Sequence, residues 1–173
     1  SGLACGDSSK PVILATHGWL DNAASFIPMA SFFEDYYLVA IDFAGHGLSE
    51  HRSKGAHYHI LDNIYDMHTL IVQQKWEQVV LMGHSMGGIL ASVYAASFPE
   101  IVKALVMLEA FGPLTKPADS SPQQLKEAIN SRLDVAAKEP RHPKTFEIAV
   151  QARLSTGGQD QDAAELLMKR NTV

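Results

Sequence analysis

The chain has 173 residues, 46% of them hydrophobic, which suits one packed domain or a domain with an appendage. Its net charge of −5 disfavours a nucleic-acid or anionic-membrane partner, either of which needs a basic surface. The single cysteine, Cys5, precludes an internal disulfide and is too isolated for a zinc site, and neither a leader nor the roughly 20 apolar residues of a membrane span is visible; a soluble, cytoplasmic protein is expected.

The opening stretch "SGLACGDSS" reads as the tail of an earlier strand. Four apolar runs then predict buried strands: Pro11–Thr16, Tyr37–Ile41, Val79–Met82 and Ala104–Leu108. Each is short, rich in Val, Ile and Leu, and stops at a polar or glycine-bearing turn. Their continuous rather than alternating hydrophobicity predicts strands covered on both faces, as in a parallel sheet. Helical patterns fall between them. Phe26, Met29, Ala30 and Phe33 share a face after a cap at Asp21 or Asn22, and Ile60, Ile64, Met67 and Ile71 mark a second helix. The alanine-rich segment Met86–Phe98 stops before Pro99. This alternation predicts an α/β fold with right-handed crossovers.

After Glu109 the texture changes. "FGPLTKPADSSPQQ" reads as a linker, and Ser121, Pro122 and Gln124 fit a capping box. Leu125, Ile129, Leu133 and Ala136 mark an amphipathic helix, punctuated by Pro140 and Pro143. Phe146, Val150 and Leu154 suggest a second helix, "STGGQD" a turn, and Ala164, Leu167 and Met168 a third helix. Residues 1–113 therefore read as a core and 114–173 as a helical appendage without strands.

Gly83-His84-Ser85-Met86-Gly87 fits G-x-S-x-G, with an apolar strand before it and an alanine-rich helix after, as a nucleophile elbow requires. Glycines there let the chain turn tightly and leave Ser85 facing forward as a candidate nucleophile. In this architecture the turn after the first strand supplies one oxyanion N–H and the residue after the nucleophile the other. Trp19 of His17-Gly18-Trp19 and Met86 are those candidates, acting through the main chain. His17 reads as a structural histidine holding the turn, and Trp19 also lines the pocket. Asp42 sits at a strand end before a glycine loop, where a loop brace is favoured over a catalytic acid. The glycines form neither G-x-G-x-x-G nor a P-loop, so a nucleotide site is not expected.

"HGW", "DFAGHGLS" and "GHSMGG", in this order and at these separations, resemble the α/β-hydrolase superfamily. "HGWLDNAASF", "GHSMGG" and "LEAFGPL" resemble a narrower group, the serine hydrolase-like proteins, which are small esterase-type enzymes with a helical cap. The resemblance covers about residues 1–173. It implies an α/β-hydrolase fold with an incomplete, mostly parallel sheet, helices on both faces, and the start of a helical cap in 114–173. It also implies Ser85 as nucleophile, then an acid, then a histidine in chain order. Some members place the acid where Glu109 stands; otherwise a later acid serves, and Glu109 contacts the linker or a backbone amide. His17, Trp19 and His84 fall at the substrate pocket.

The family's catalytic histidine follows the last core strand, beyond the cap. His17 and His84 belong to the turns at the oxyanion site and the nucleophile, and His46 to the glycine loop. His51, His57 and His59 precede the second helix, His68 lies on it, and His142 lies between appendage helices. His46 or His51 can approach the site, but none follows a later strand. The general base is therefore expected from a companion C-terminal segment, whether a second polypeptide, a disordered region or a piece lost to proteolysis. The fragment alone is expected to be inactive, with an open sheet edge and an exposed apolar face on its appendage. The implied chemistry is hydrolysis of a small carboxylic ester or related acyl substrate through an acyl-enzyme, with no metal or organic cofactor. A catalytically inactive binding protein of the same fold is the alternative. Dehalogenases and epoxide hydrolases are disfavoured because they carry aspartate where Ser85 stands.

Overall fold

A computed structural model describes residues 1–53, 55–136, 142–156 and 158–171. The expected break at Pro140 and the first glycine of the "STGGQD" turn, Gly157, lie outside the described residues. Five strands, β1 (Gly2–Cys5), β2 (Val12–Thr16), β3 (Tyr37–Ile41), β4 (Val79–His84) and β5 (Val102–Leu108), form one sheet in the order β1-β3-β2-β4-β5. β1 pairs antiparallel with β3, and every other pair is parallel. Among the described residues the opening stretch thus lies in an edge strand, and the fold is the expected mostly parallel α/β sheet.

The helices are α1 (Ile60–Gln73), α2 (Met86–Ser97), α3 (Ser121–Ala136), α4 (Phe146–Leu154) and α5 (Gln161–Asn171), with 3₁₀ segments at Ala23–Phe32 and Ala118–Ser120. Among the described residues no helix is long and apolar enough to cross a membrane.

The two faces of β2 separate the core by strand alternation. Val12 and Leu14 pack with Leu81 against Met67 and Ile71 of α1 and Leu90 and Tyr94 of α2. Ile13 and Ala15 pack with Leu38, Ala40 and Met82 against Phe26 of the 3₁₀ segment. Asn22, one of the two caps left open by the sequence, starts that segment: its side chain accepts the Ala24 N–H. The segment is 3₁₀ rather than α because Pro28 lies inside it, where it offers no N–H and its ring obstructs the preceding turn.

Two expectations are corrected. First, β5 is not covered on both faces: Val106 and Met107 are 38% and 37% exposed, because among the described residues nothing pairs with its outer edge. Second, the capping box at Ser121 does not form. Ser121 is already helical and its hydroxyl donates to the Ala118 carbonyl, while Gln124 donates to the Ser120 hydroxyl. The preceding 3₁₀ turn starts the helix instead. The amphipathic face of α3 is present but bare, with Leu125, Ile129 and Leu133 all exposed. α5 is different: Ala164 and Leu167 are buried, and the helix packs on α4 and on the 3₁₀ segment.

Candidate active site

β4 carries the chain out of the core and stops at Ser85, which adopts φ 48° and ψ −114° before α2 begins at Met86. A non-glycine residue rarely holds such a conformation, which costs on the order of 1–3 kcal/mol and persists only where the surroundings enforce it. Here they do. The Ser85 N–H donates to the Leu108 carbonyl of β5 at 2.9 Å, and the Ile89 N–H donates to the Ser85 carbonyl at 3.1 Å. Gly87 passes so close to β2 that a Cβ there would collide with the Thr16 carbonyl, so no larger residue lets the elbow close. The first N–H groups of α2, Met86 included, have no partner within the helix, and they point at the turn that carries Ser85.

The turn after β2 faces this elbow. Gly18, Trp19, Leu20 and Asp21 line a cleft of about 290 Å³ together with His84, Ser85, Arg153, Thr156 and Gln159. Asp21 N–H closes the turn on the Gly18 carbonyl at 3.2 Å, and Leu20 takes a φ of 62°. Of the two residues expected to supply oxyanion donors, Trp19 lines this cleft with Ser85, while Met86 follows Ser85 at the start of α2 and is not among the lining residues. The Trp19 ring is 63% exposed, with its face edge-on to His46 at 5.6 Å.

His17 is placed behind the cleft wall rather than in it. It is fully buried; Nδ1–H donates to the Gly18 carbonyl at 2.7 Å, and Nε2 accepts the Phe43 N–H at 3.0 Å. Burial pushes its pKa down to about 4, so it is neutral at pH 7. This is the turn-holding histidine the sequence suggested.

His84 lies between two carboxylates. Nδ1 is 3.3 Å from Asp21 Oδ2, and Nε2 is 3.3 Å from Glu109 Oε2. The Asp21 hydrogen bond raises its pKa against the opposing effect of burial, and Glu109 raises it further. Burial pushes the Asp21 carboxyl upward, but the His84 hydrogen bond and the Arg153 charge outweigh it, and the group sits below the usual carboxylate range. Arg153 of α4 donates to Asp21 through Nη2 and to Gln159 through Nε. Glu109 ends β5 with a φ of 53°, and its side chain is 85% exposed.

Among the described residues, the cleft that Ser85 lines holds a single histidine, His84. Carboxylates flank both its ring nitrogens. His46 packs against His17 and Trp19 and does not line it; His51 bonds the Tyr58 hydroxyl at 3.0 Å in a separate cavity with Asp42 and Asp66. His57 meets the His59 ring edge-on, and His68 bonds the Tyr94 hydroxyl. Asp42 is the brace expected of it, holding the Ala23 and Leu48 N–H groups and the Arg170 guanidinium. No three His, Cys, Asp or Glu side chains converge as a metal site among the described residues.

What sequence reasoning missed is the set of polar side chains on the late helices. Arg153 reaches Asp21, Arg170 reaches Asp42, and the Asn22 amide donates to the Leu167 carbonyl and the Asn171 side chain. The only advance signal was that Asp21, Asn22 and Asp42 are acidic or amide residues at strand ends.

A family model for the alpha/beta hydrolase fold matches residues 11–169. The chain is similar to human serine hydrolase-like protein 2, at 34% identity over 98% of the chain and 56% of the relative. It is similar to human serine hydrolase-like protein at 37% identity, over 80% of the chain and 70% of the relative. A crystal structure of a hypothetical protein from Pseudomonas aeruginosa PAO1 superposes with a TM-score of 0.92 and 38% identity, over 98% of this chain and 60% of that one. The chain thus spans little more than half the length of several proteins it resembles.

Proposed function

Since the chain belongs to the α/β-hydrolase fold family, and within it to the serine hydrolase-like proteins, we propose that it carries the nucleophile half of a serine hydrolase acting on a small carboxylic ester or related acyl substrate. The observation that carries this reading is the backbone of Ser85, held at φ 48° at the mouth of a cleft shared with the Gly18–Asp21 turn. Strain of this kind has no value for packing and has a clear use in presenting a hydroxyl.

In the proposed reaction Ser85 Oγ attacks the ester carbonyl carbon and its proton passes to a histidine. The carbonyl oxygen becomes an oxyanion, held by the N–H groups of Trp19 and Met86. Collapse re-forms the carbonyl and expels the alcohol, which takes the proton from the histidine and leaves an acyl-serine. Water then attacks the acyl carbon by the same route, freeing the acid and restoring the hydroxyl. Each oxyanion donor in such a site contributes on the order of 10²–10³ in rate. The base is proposed to come from a histidine outside this chain, in a companion C-terminal segment; that the histidine lining the cleft among the described residues, His84, faces carboxylates through both ring nitrogens supports this. Glu109 is the proposed acid. Its Oε2 faces His84, while among the described residues Oε1 takes no hydrogen bond, which leaves an oxygen to orient the incoming histidine. Residues 114–173 are the proposed start of a cap, supported by Arg153, Thr156 and Gln159 lining the cleft.

The flanking of His84 by two carboxylates favours a second reading, a binding protein of this fold that performs no hydrolysis. A fluorophosphonate probe separates the two in the full-length protein. Labelling that is lost in Ser85→Ala supports the hydrolase; no labelling of the wild type supports the binder. The 173-residue chain alone is expected to leave p-nitrophenyl esters uncleaved, and turnover by it would overturn the placement of the base outside the chain.

A further inference from the structure

His84 stands immediately before the proposed nucleophile, yet no step of the proposed reaction uses it. Its surroundings are specific. Asp21, at the end of the turn that carries Trp19, faces Nδ1; Glu109, at the end of β5, faces Nε2; both distances are 3.3 Å. Behind Asp21 stands Arg153 of α4, itself only 15% exposed and held by Gln159. Gly18 is shaped to this pair: a Cβ there would meet His84 Nδ1 at 2.8 Å and Asp21 Oδ2 at 3.1 Å. Four groups from four parts of the chain therefore run in alternating sign, Arg153, Asp21, His84 and Glu109, past the mouth of the cleft.

We propose that His84 is a positioning residue: clamped between Asp21 and Glu109, it fastens the Gly18–Asp21 turn, and with it the Trp19 N–H, to the end of β5 beside Ser85, while Arg153 ties α4 to the same clamp.

The chemistry of the clamp follows from its geometry. A neutral imidazole has one N–H and satisfies one carboxylate; only the imidazolium donates to both. With His84 charged, the chain of four groups is neutral overall and every carboxylate has a partner. When His84 loses its proton, one nitrogen presents a lone pair to a carboxylate and that side of the clamp is repelled. Asp21 keeps Arg153, so the weaker attachment, to the exposed Glu109, is the one released. His17 contributes no charge here, since burial keeps it neutral. The groups facing His84 all favour its charged form, and the clamp therefore closes below the His84 pKa and opens above it. In its charged form His84 cannot serve as the base for Ser85, because an imidazolium has no lone pair to receive a proton.

For its catalytic consequence this inference rests on Ser85 as nucleophile, but the clamp itself is measured without catalysis. Proton NMR of the histidine Cε1–H signals in the 173-residue chain, with His84 assigned by His84→Gln, is expected to show His84 titrating above the ordinary 6.5. Glu109→Gln removes an exposed carboxylate without disturbing the core and is expected to lower that value. In a Trp76→Phe background, where Trp19 is the remaining tryptophan, Trp19 emission is expected to follow the same transition and to lose it in His84→Gln. In the full-length protein, His84→Gln is expected to slow fluorophosphonate labelling about tenfold. His84 titrating at or below 6.5, or Trp19 emission that ignores its titration, overturns the clamp. A wild type that fails to label overturns the nucleophile reading instead, and the titration still decides the clamp.

Discussion

At the C-terminal end of β2, His17 gives both ring nitrogens to the backbone, and this makes it a stability switch with a definite sign. The Phe43 N–H donates to Nε2, so that nitrogen cannot also carry a proton in the folded state. Its pKa is pushed from 6.5 down to about 4 by burial, with the Gly18 hydrogen bond pulling the other way. Below pH 6.5 the unfolded chain therefore binds a proton that the folded chain refuses. Stability is unaffected above 6.5 and falls as the pH drops toward 4, by roughly 3 kcal/mol in all. The neighbouring groups act in other windows. Asp21 and Asp42 sit below the usual carboxylate range, so their contribution persists until the pH falls under about 4. His84 is raised, so its contribution is complete below 6.5 and is lost only as the pH rises through its folded value. Urea midpoints measured from pH 7.5 to 4.5 are expected to fall, and His17→Gln, though less stable at pH 7.5, is expected to give a flatter profile. An equally steep profile in the variant would assign the acid sensitivity elsewhere. The sequence made the turn-holding role of His17 legible through its neighbours Gly18 and Trp19. Phe43, 26 residues away, was not legible, because only the parallel pairing of β2 and β3 brings the two loops together.

Elements whose burial is local announced themselves, and those whose burial depends on distant partners did not. Val12–Thr16 and Val79–His84 are central strands, and their unbroken apolar runs match the cover they receive on both faces. Val102–Leu108 has the same apolar texture but lies at the sheet edge with Val106 and Met107 partly exposed, so its composition could not tell cover from edge. The register of α1 was readable in the spacing of Ile64, Met67 and Ile71, all buried, although Ile60, expected on the same face, is exposed at the first turn. α3 has a comparable pattern in Leu125, Ile129 and Leu133 and buries none of it. Among the described residues α3 packs only on the Ala118–Ser120 turn, so little besides its own backbone bonds stabilises it. Isolated helices of about 15 residues are marginal in water. Amide exchange across α3 is therefore expected to be orders of magnitude faster than across α2, whose Leu90, Ala91 and Tyr94 are fully buried. Ile129→Gln is expected to shift stability by no more than about 0.5 kcal/mol. Slow exchange in α3 would mean that its apolar face is covered in solution.

For the molecule as a whole, the α/β sheet and the elbow were legible in the sequence, while the way the late helices meet the core was not. The reason is chemical: hydrophobic periodicity identifies a helix and its apolar face, but α4 and α5 are also tied down by polar side chains whose partners lie more than 120 residues away. The ties to Asp21, Asn22 and Asp42 end on loops at the C-terminal ends of β2 and β3, the edge of the sheet where the candidate site lies. Arg170 bonds at more than one point. Its Nε lies 2.9 Å from Asp42 Oδ2 and 3.1 Å from Oδ1, and Nη2 donates to the Gly2 carbonyl of β1 at 3.0 Å. The Asp42 side chain is fully buried and the Arg170 side chain 12% exposed. Removing the guanidinium strands a buried carboxylate that keeps only the Ala23 and Leu48 N–H donors. Arg170→Met is expected to cost about 3 kcal/mol, most of it the penalty of the uncompensated charge rather than the worth of the pair. Asp42→Asn in the same chain removes that charge and is expected to recover part of the loss, giving a coupling of about 1–3 kcal/mol in a double-mutant cycle on urea unfolding. Losses that simply add would show that Arg170 and Asp42 do not interact in solution.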